Sequence, residues 1–204
     1  IFGTPFAHED DPDRGVRCAC EMMAELNVFN AARIAKDKSP VDMGIGVNTG
    51  LVVSGNIGSP KRMDYTVIGD GVNLSARLES ACKQYSAHIL VSEFTIAKLR
   101  GTFRTRDIDK VVVKGKTEPV GVYEILDYHT EETFPNIMEA LNQFRGGIDL
   151  YRTAKWDQAV KVFKDALALN PTDKLCETYI ERCAFMKKNP PKGEWDGVWV
   201  MTSK

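Results

Sequence analysis

The stretch Met63 to Glu79 constrains this chain more than any other: Met-Asp-Tyr-Thr-Val-Ile-Gly-Asp-Gly-Val-Asn-Leu-Ser-Ala-Arg-Leu-Glu. Tyr65 to Ile68 are aromatic or β-branched, which favours a short strand. Gly69-Asp70-Gly71 reads as a turn, with Asp70 as the N-cap of a following helix. From Val72 onward Leu74, Leu78 and Ala81 recur at i, i+4 and i+7 and define one apolar stripe. Asn73 and Arg77 are also one turn apart and share a neighbouring face of that helix. A strand thus delivers Thr66 to a turn, and the helix behind it presents an amide and a guanidinium side by side.

Those groups suit a bound nucleotide. A threonine hydroxyl donates or accepts toward a base edge. An asparagine can fix a ribose, and an arginine matches phosphate oxygens bidentately. Spacing alone also describes a polar first-turn asparagine and a solvated surface arginine. The 204 residues have room for one ordinary domain and a small one. Hydrophobic content of 43% and charged content of 27% are those of an ordinary globular protein. A net charge of −1 leaves no electrostatic footprint for nucleic acid, so no nucleic-acid partner is expected. No apolar run approaches a membrane span, and no signal peptide is visible. Cys18, Cys20, Cys82, Cys176 and Cys183 form no zinc-like pair of pairs and read as reduced thiols.

Taken in order, Ile1-Phe2-Gly3-Thr4-Pro5 reads as the end of a strand already under way, so the chain is expected to begin inside the fold. Acids from Glu9 to Asp13, with Pro12 among them, suit a helix N-terminus, and an amphipathic helix reaching roughly Ile34 follows. His8, Glu9, Asp10, Asp11 and Asp13 read as a solvated helix entry rather than a metal site. Val41 to Val47 and Thr49 to Ile57 read as strands around a Gly50 turn. Gly44, Gly46 and Gly50 do not have dinucleotide-fingerprint spacing and are expected to permit close backbone approach and turning. His88 to Val91 reads as a strand, with Ser92 capping a helix through Leu99. His88 is a lone histidine and reads as structural. Phe103 to Val113 reads as a strand interrupted at Asp107 to Lys110, then a hairpin turn from Lys114 to Pro119 and a closing strand from Val120 to Leu126.

Residues 127–135 read as a linker, after which the periodicity is helical. Gly147, Ala159, Phe163, Ala166 and Pro171 fall at the small, aromatic and proline positions of a tetratricopeptide repeat. Gln143, Gly146 and Leu150 do not match that repeat's usual first-helix residues. One and a half repeats cannot stack into an independent solenoid, so this segment is expected to pack on another surface. Trp195 and Trp199 are expected to cover apolar surface.

The string around Thr66, Asn73 and Arg77 resembles the signature of class III nucleotidyl cyclases, most closely bacterial and cyanobacterial adenylyl cyclases related to soluble adenylyl cyclase. The likeness continues through Met43-Gly44-Ile45-Gly46-Val47-Asn48-Thr49-Gly50 and Val53-Ser54-Gly55-Asn56-Ile57-Gly58-Ser59. It implies an α/β (α+β) fold: a ferredoxin-like, palm-type cyclase sheet of βαββαβ ancestry, N-terminally truncated, over 1–127, with a small all-α extension over 128–204. It implies that the ribose 3′-hydroxyl of ATP attacks its own α-phosphorus and expels pyrophosphate, giving cyclic AMP. Asn73 would hold the ribose and Arg77 would neutralise charge at the α-phosphate. Thr66 would contact the adenine edge, and Lys114 would hold the terminal phosphates. Two Mg²⁺ or Mn²⁺ ions would activate the hydroxyl and bridge the phosphates.

In the resembled family two metal-binding aspartates and an adenine-reading lysine lie upstream of the string matching Ile1-Phe2-Gly3. No metal ligand is therefore expected in this chain. The site lies at a head-to-tail homodimer interface whose other protomer supplies the metal carboxylates, so this chain alone is expected to be inactive. The resemblance implies a cytoplasmic catalytic region, with an upstream sensor domain and membrane tethering of the parent left open. Two alternatives stand beside this one: a non-catalytic cyclase-like interaction module, and a guanylyl cyclase, which Thr66 disfavours.

Overall fold

The computed structural model describes residues 1–59, 62–112, 119–191, 193, 195 and 197–199. They form α1 (Asp11–Ile34), β1 (Ile45–Val47), β2 (Val53–Ser59), β3 (Arg62–Ile68), α2 (Asp70–Tyr85), β4 (Ile89–Ser92), α3 (Glu93–Ile96), β5 (Thr105–Val112), β6 (Pro119–Ile125), α4 (Ile137–Arg152), α5 (Trp156–Leu169) and α6 (Lys174–Lys188). The hairpin turn read from Lys114 onward lies outside the described residues. One sheet has the order β1-β4-β6-β5, and β2 and β3 form a separate hairpin. The result is a mixed α+β fold. The chain divides into two compact units: 1–84, 88–105 and 122–128, and then 85–87, 106–121 and 129–204.

In the first unit β1 runs parallel to β4, with Ile45 opposite Ile89, and β4 runs antiparallel to β6, with Leu90 opposite Glu124. A parallel pair needs a crossover, and here the β2–β3 hairpin and α2 supply it. β4 is buried along its whole length, as a central strand must be. Val16, Ala19 and Met23 of α1 close the core with Ile89, Val91, Ile125 and Tyr128.

Several local readings are corrected. Val41 is not in a strand: its N–H donates to Asn30 Oδ1 and its carbonyl accepts from Asn30 Nδ2, both at 2.8 Å. With both backbone groups taken by α1, Val41 has none left for a ladder. β2 starts at Val53 rather than Thr49, because its partner strand ends at Ile68 and Gly69 turns away with φ +144°. Leu51, beyond that ladder, is 99% exposed. α2 starts at Asp70, and the Gly69 carbonyl accepts from the N–H groups of Val72 and Asn73, so Gly69 stands at the cap and Asp70 in the first turn. Ser92 does cap α3, its side chain accepting from Thr95 N.

The acidic helix entry is also not simply solvated. Asp13 is 1% exposed, and its carboxylate accepts from Gly101 N at 2.6 Å and Arg100 N at 3.1 Å. Asp11 accepts from His8 N at 2.7 Å, and Glu9 pairs with Arg100. Burial pushes the Asp13 carboxyl up, but the Gly101 and Arg100 amides and the Arg17 charge outweigh it and hold it below its ordinary value. A depressed carboxylate stabilises the fold above its unfolded value, about 3.9, and loses that contribution as pH falls through the folded value. Asp13→Asn is therefore expected to cost about 1–3 kcal/mol at neutral pH, since it sets an amide N–H₂ against backbone donors. In urea titrations the gap to the parent should narrow below pH about 4. A gap unchanged by acid would show that the carboxylate charge contributes nothing.

The second unit is helical around one strand. α4 packs antiparallel on α5 with no room for a side chain at Gly147, where a Cβ would lie 2.5 Å from the Phe163 ring. Phe163 stacks on Tyr179 of α6 at 5.2 Å between centroids, and Phe144 meets both rings. Trp195 packs edge-on against Tyr151 and Trp156 and donates its Nε1 hydrogen to the Tyr151 carbonyl. Trp199 packs edge-on against Phe185.

β5 is continuous through Asp107 to Lys110, where an interruption was expected. Arg106, Asp107 and Asp109 in it are paired rather than turned to water. Arg106 donates to Asp173 at 2.6 Å, Arg152 grips Asp107 with both terminal nitrogens, and Arg182 donates to Asp109 at 2.7 Å. Tyr85 also donates its hydroxyl to Asp109, and Tyr179 donates to the Ile108 carbonyl.

Candidate active site

Two glycines set the position of α2. A Cβ at Gly46 would lie 2.2 Å from the Ser75 carbonyl oxygen and 2.4 Å from Glu79 N. At Gly44 it would lie 2.9 Å from the Cys82 Cβ. The helix backbone therefore rests directly on β1, as the glycine pattern implied. Ser75 Oγ adds a hydrogen bond of 2.7 Å to the Gly46 carbonyl. Leu74, Leu78 and Cys82 are buried, a stripe at i, i+4 and i+8, with Ala81 half-buried beside it. Burial pushes the Cys82 thiol up to about 11, so it stays protonated and inert.

Beside that packed stripe, Asn73 and Arg77 stand exposed one turn apart on the neighbouring face. Neither is held by a hydrogen bond or ion pair among the described residues. Thr66 lies opposite Gly55 in the hairpin, and its side chain is exposed as well. Sequence reading thus named three side chains that the fold leaves free, on the strand and helix joined at Gly69. Lys114, the fourth, lies outside the described residues.

A cleft of about 740 Å³ in the same unit is lined by Gly3, Pro5, Leu51, Ser54, Tyr65 and Arg100 among others. Thr66, Asn73 and Arg77 are not part of its lining, so it lends the nucleotide reading no support. Among the described residues no three or more His, Cys, Asp or Glu side chains converge to hold a metal ion. His88, with Tyr128 at 3.1 Å and Asp42 at 3.3 Å, ties the start of β4 to its neighbours. Sequence reading missed Ser75 and Asn48, which support α2 from beneath. A polar residue immediately after a strand was the available signal for Asn48.

The pattern of the adenylate and guanylate cyclase catalytic domain matches residues 2–127. The chain belongs to this family. A terminal-differentiation-specific adenylate cyclase of Dictyostelium discoideum is 36% identical over 172 residues, covering 82% of this chain and 8% of that protein. A match of that length cannot fit within residues 2–127 and runs into the helical segment. An adenylate cyclase of Anabaena cylindrica is 39% identical over 124 residues, 57% of this chain and 25% of that protein. This cyclase-family chain thus spans a quarter or less of those two relatives.

Two crystal structures share the fold. The adenylyl cyclase CyaB from P. aeruginosa superposes with a TM-score of 0.56 at 34% identity, over 62% of this chain and 65% of that one. The guanylyl cyclase Cya2 superposes at 0.52 and 37% identity, over 61% and 62%. The fold is thus shared with an adenylyl and a guanylyl cyclase alike. No helix among the described residues is long and apolar enough to cross a membrane.

Proposed function

We propose that this chain carries the nucleotide-positioning half of an adenylyl cyclase that converts ATP to 3′,5′-cyclic AMP and pyrophosphate. One observation supports this above the others: α2 buries its apolar side and leaves Asn73 and Arg77 exposed and unengaged, beside a strand that leaves Thr66 free.

In the proposed step the ribose O3′ forms a bond to the α-phosphorus, the bond from that phosphorus to the bridging α,β-oxygen breaks, and pyrophosphate leaves with the electron pair. The 3′-hydroxyl proton passes to solvent water. Phosphoryl transfer of this kind is catalysed by positioning and charge stabilisation. Asn73 holds the ribose so that O3′ faces the phosphorus. Arg77 sets two donors against the phosphate oxygens as charge builds there. Thr66 meets the adenine edge, and Lys114 takes the terminal phosphates. Mg²⁺ or Mn²⁺ is proposed to be held by carboxylates of a second cyclase protomer, in a homodimer acting in intracellular signalling on the cytoplasmic side. Residues 1–127 would form the catalytic part, and residues 128–204 a tetratricopeptide-like helical segment.

The test is conversion of ATP and of GTP by the natural protein that contains this chain, with Mg²⁺ or Mn²⁺. Cyclic AMP as the main product is expected. A folded, dimeric protein that converts neither nucleotide would move the chain to the non-catalytic class. Preference for GTP would favour the guanylyl reading, which the 37% identity to Cya2 keeps in play. Thr66→Cys is expected to shift the ATP-to-GTP ratio of kcat/KM by about tenfold toward GTP, the scale of one hydrogen bond to a base edge. An unchanged ratio would remove Thr66 from base reading.

A further inference from the structure

We propose that Asn48 is a positioning residue for the cyclisation step, acting through Asn73; the proposal rests on the cyclase reading above. Asn48 directly follows β1, and its amide is committed at both ends. Nδ2 donates to the Gly71 carbonyl at 3.1 Å, and Oδ1 accepts from Ser92 Oγ at 2.6 Å. The Gly71 carbonyl can only accept, which fixes which end of the amide faces it. Ser92 in turn ends β4 and caps α3, accepting from Thr95 N at 3.3 Å. Thr95 Oγ1 accepts from Thr49 Oγ1 at 3.2 Å and donates to the Val47 carbonyl at 3.4 Å. A polar relay therefore runs from the ends of two parallel strands, the half-buried β1 and the buried β4, to the first turn of α2.

Gly71 lies two residues before Asn73 in that turn. The first turn of a helix frays most readily. The Gly44 and Gly46 contacts clamp α2 further along, at Ser75, Glu79 and Cys82, and leave the first turn to other contacts. Asn48 grips the backbone there. It is itself half-buried with both ends of its amide engaged, so its effect on a nucleotide is proposed to pass through the turn it holds. Misplacement of a substrate-holding group by about 1 Å can cost up to about 10²-fold in rate.

The experiment is a double-mutant cycle in the natural protein. Asn48→Asp keeps the shape but sets a carboxylate oxygen against the Gly71 carbonyl. It is expected to lower kcat by roughly tenfold or more while KM moves by less than about twofold, because only attack geometry is lost. In an Asn73→Ala background the same change should cost nothing further, since the group being positioned is gone. Should Asn48→Asp not fold, Asn48→Ala carries the same comparison without the charge. Equal losses in both backgrounds, or a loss in KM alone, would overturn the positioning role. A parent that converts neither ATP nor GTP overturns the cyclase reading, and this inference with it. An active parent with additive losses overturns this inference alone.

Discussion

Arg77→Ala is expected to lower turnover by about 10²–10³-fold, the cost of removing one preorganised donor from a developing oxyanion. The same change should alter folding stability by no more than about 0.5 kcal/mol. Both expectations come from one geometry. Arg77 is exposed on α2, flanking the buried Leu74 and Leu78, and no described residue holds its guanidinium. Lysine at this position keeps the charge but not the planar fork, so Arg77→Lys should recover only part of the activity. Paired measurements of kcat and urea midpoint decide the matter. Lost midpoint with lost activity would make Arg77 a structural arginine; full activity in Arg77→Ala would take it out of the site.

Asp109→Ala is expected to destabilise the protein by about 3–5 kcal/mol, the usual cost of leaving one buried charge without its partner. Asp109 is 2% exposed, and one of its oxygens accepts from both Arg182 at 2.7 Å and Tyr85 at 2.8 Å. The Arg182 guanidinium lies over the rings of Tyr85, Tyr179 and Trp199, at 5.6, 5.1 and 5.0 Å from their centroids. Burial favours its neutral form, but the Asp109 charge outweighs that and holds its pKa above the ordinary value. Burial, reinforced by Asp109, pushes the Tyr85 hydroxyl up, so it remains a donor. Removal of the carboxylate therefore strands a cation and a hydroxyl together. The double change Asp109→Ala with Arg182→Met should recover much of the loss, because a packed apolar pair avoids the desolvation cost. A single-mutant loss under about 1 kcal/mol would mean that water replaces the carboxylate without penalty.

What the sequence made legible was local. The apolar repeat of Leu74 and Leu78, the glycines at Gly44 and Gly46 and the Ser92 cap each act within a few residues or through a missing side chain, and pattern records both. The buried acids were not legible. Asp13, read alone, is a first-turn acid that suits water; its partners Arg100 and Gly101 lie far along the chain. Asp107 and Asp109 read as a break in a strand because their arginines stand on helices that follow much later. Polar residues signal exposure only until a distant partner is supplied, and one sequence does not pair them. Of the proposed site, Thr66, Asn73 and Arg77 could be named from their chemistry and likeness, whereas Asn48 offered only its place after a strand, its contact with Gly71 spanning 23 residues.

The two elements that carry these side chains differ in how much change they can absorb. α2 lies against β1 with its backbone where a Cβ of Gly46 would be, so any substitution that shifts it meets main chain. β3 belongs to a two-stranded ribbon whose residues are mostly exposed, and Thr66 there has nothing packed on it to displace. Under the proposed function, nucleotide preference would sit on the yielding ribbon and the ring-closing pair on the element that cannot shift.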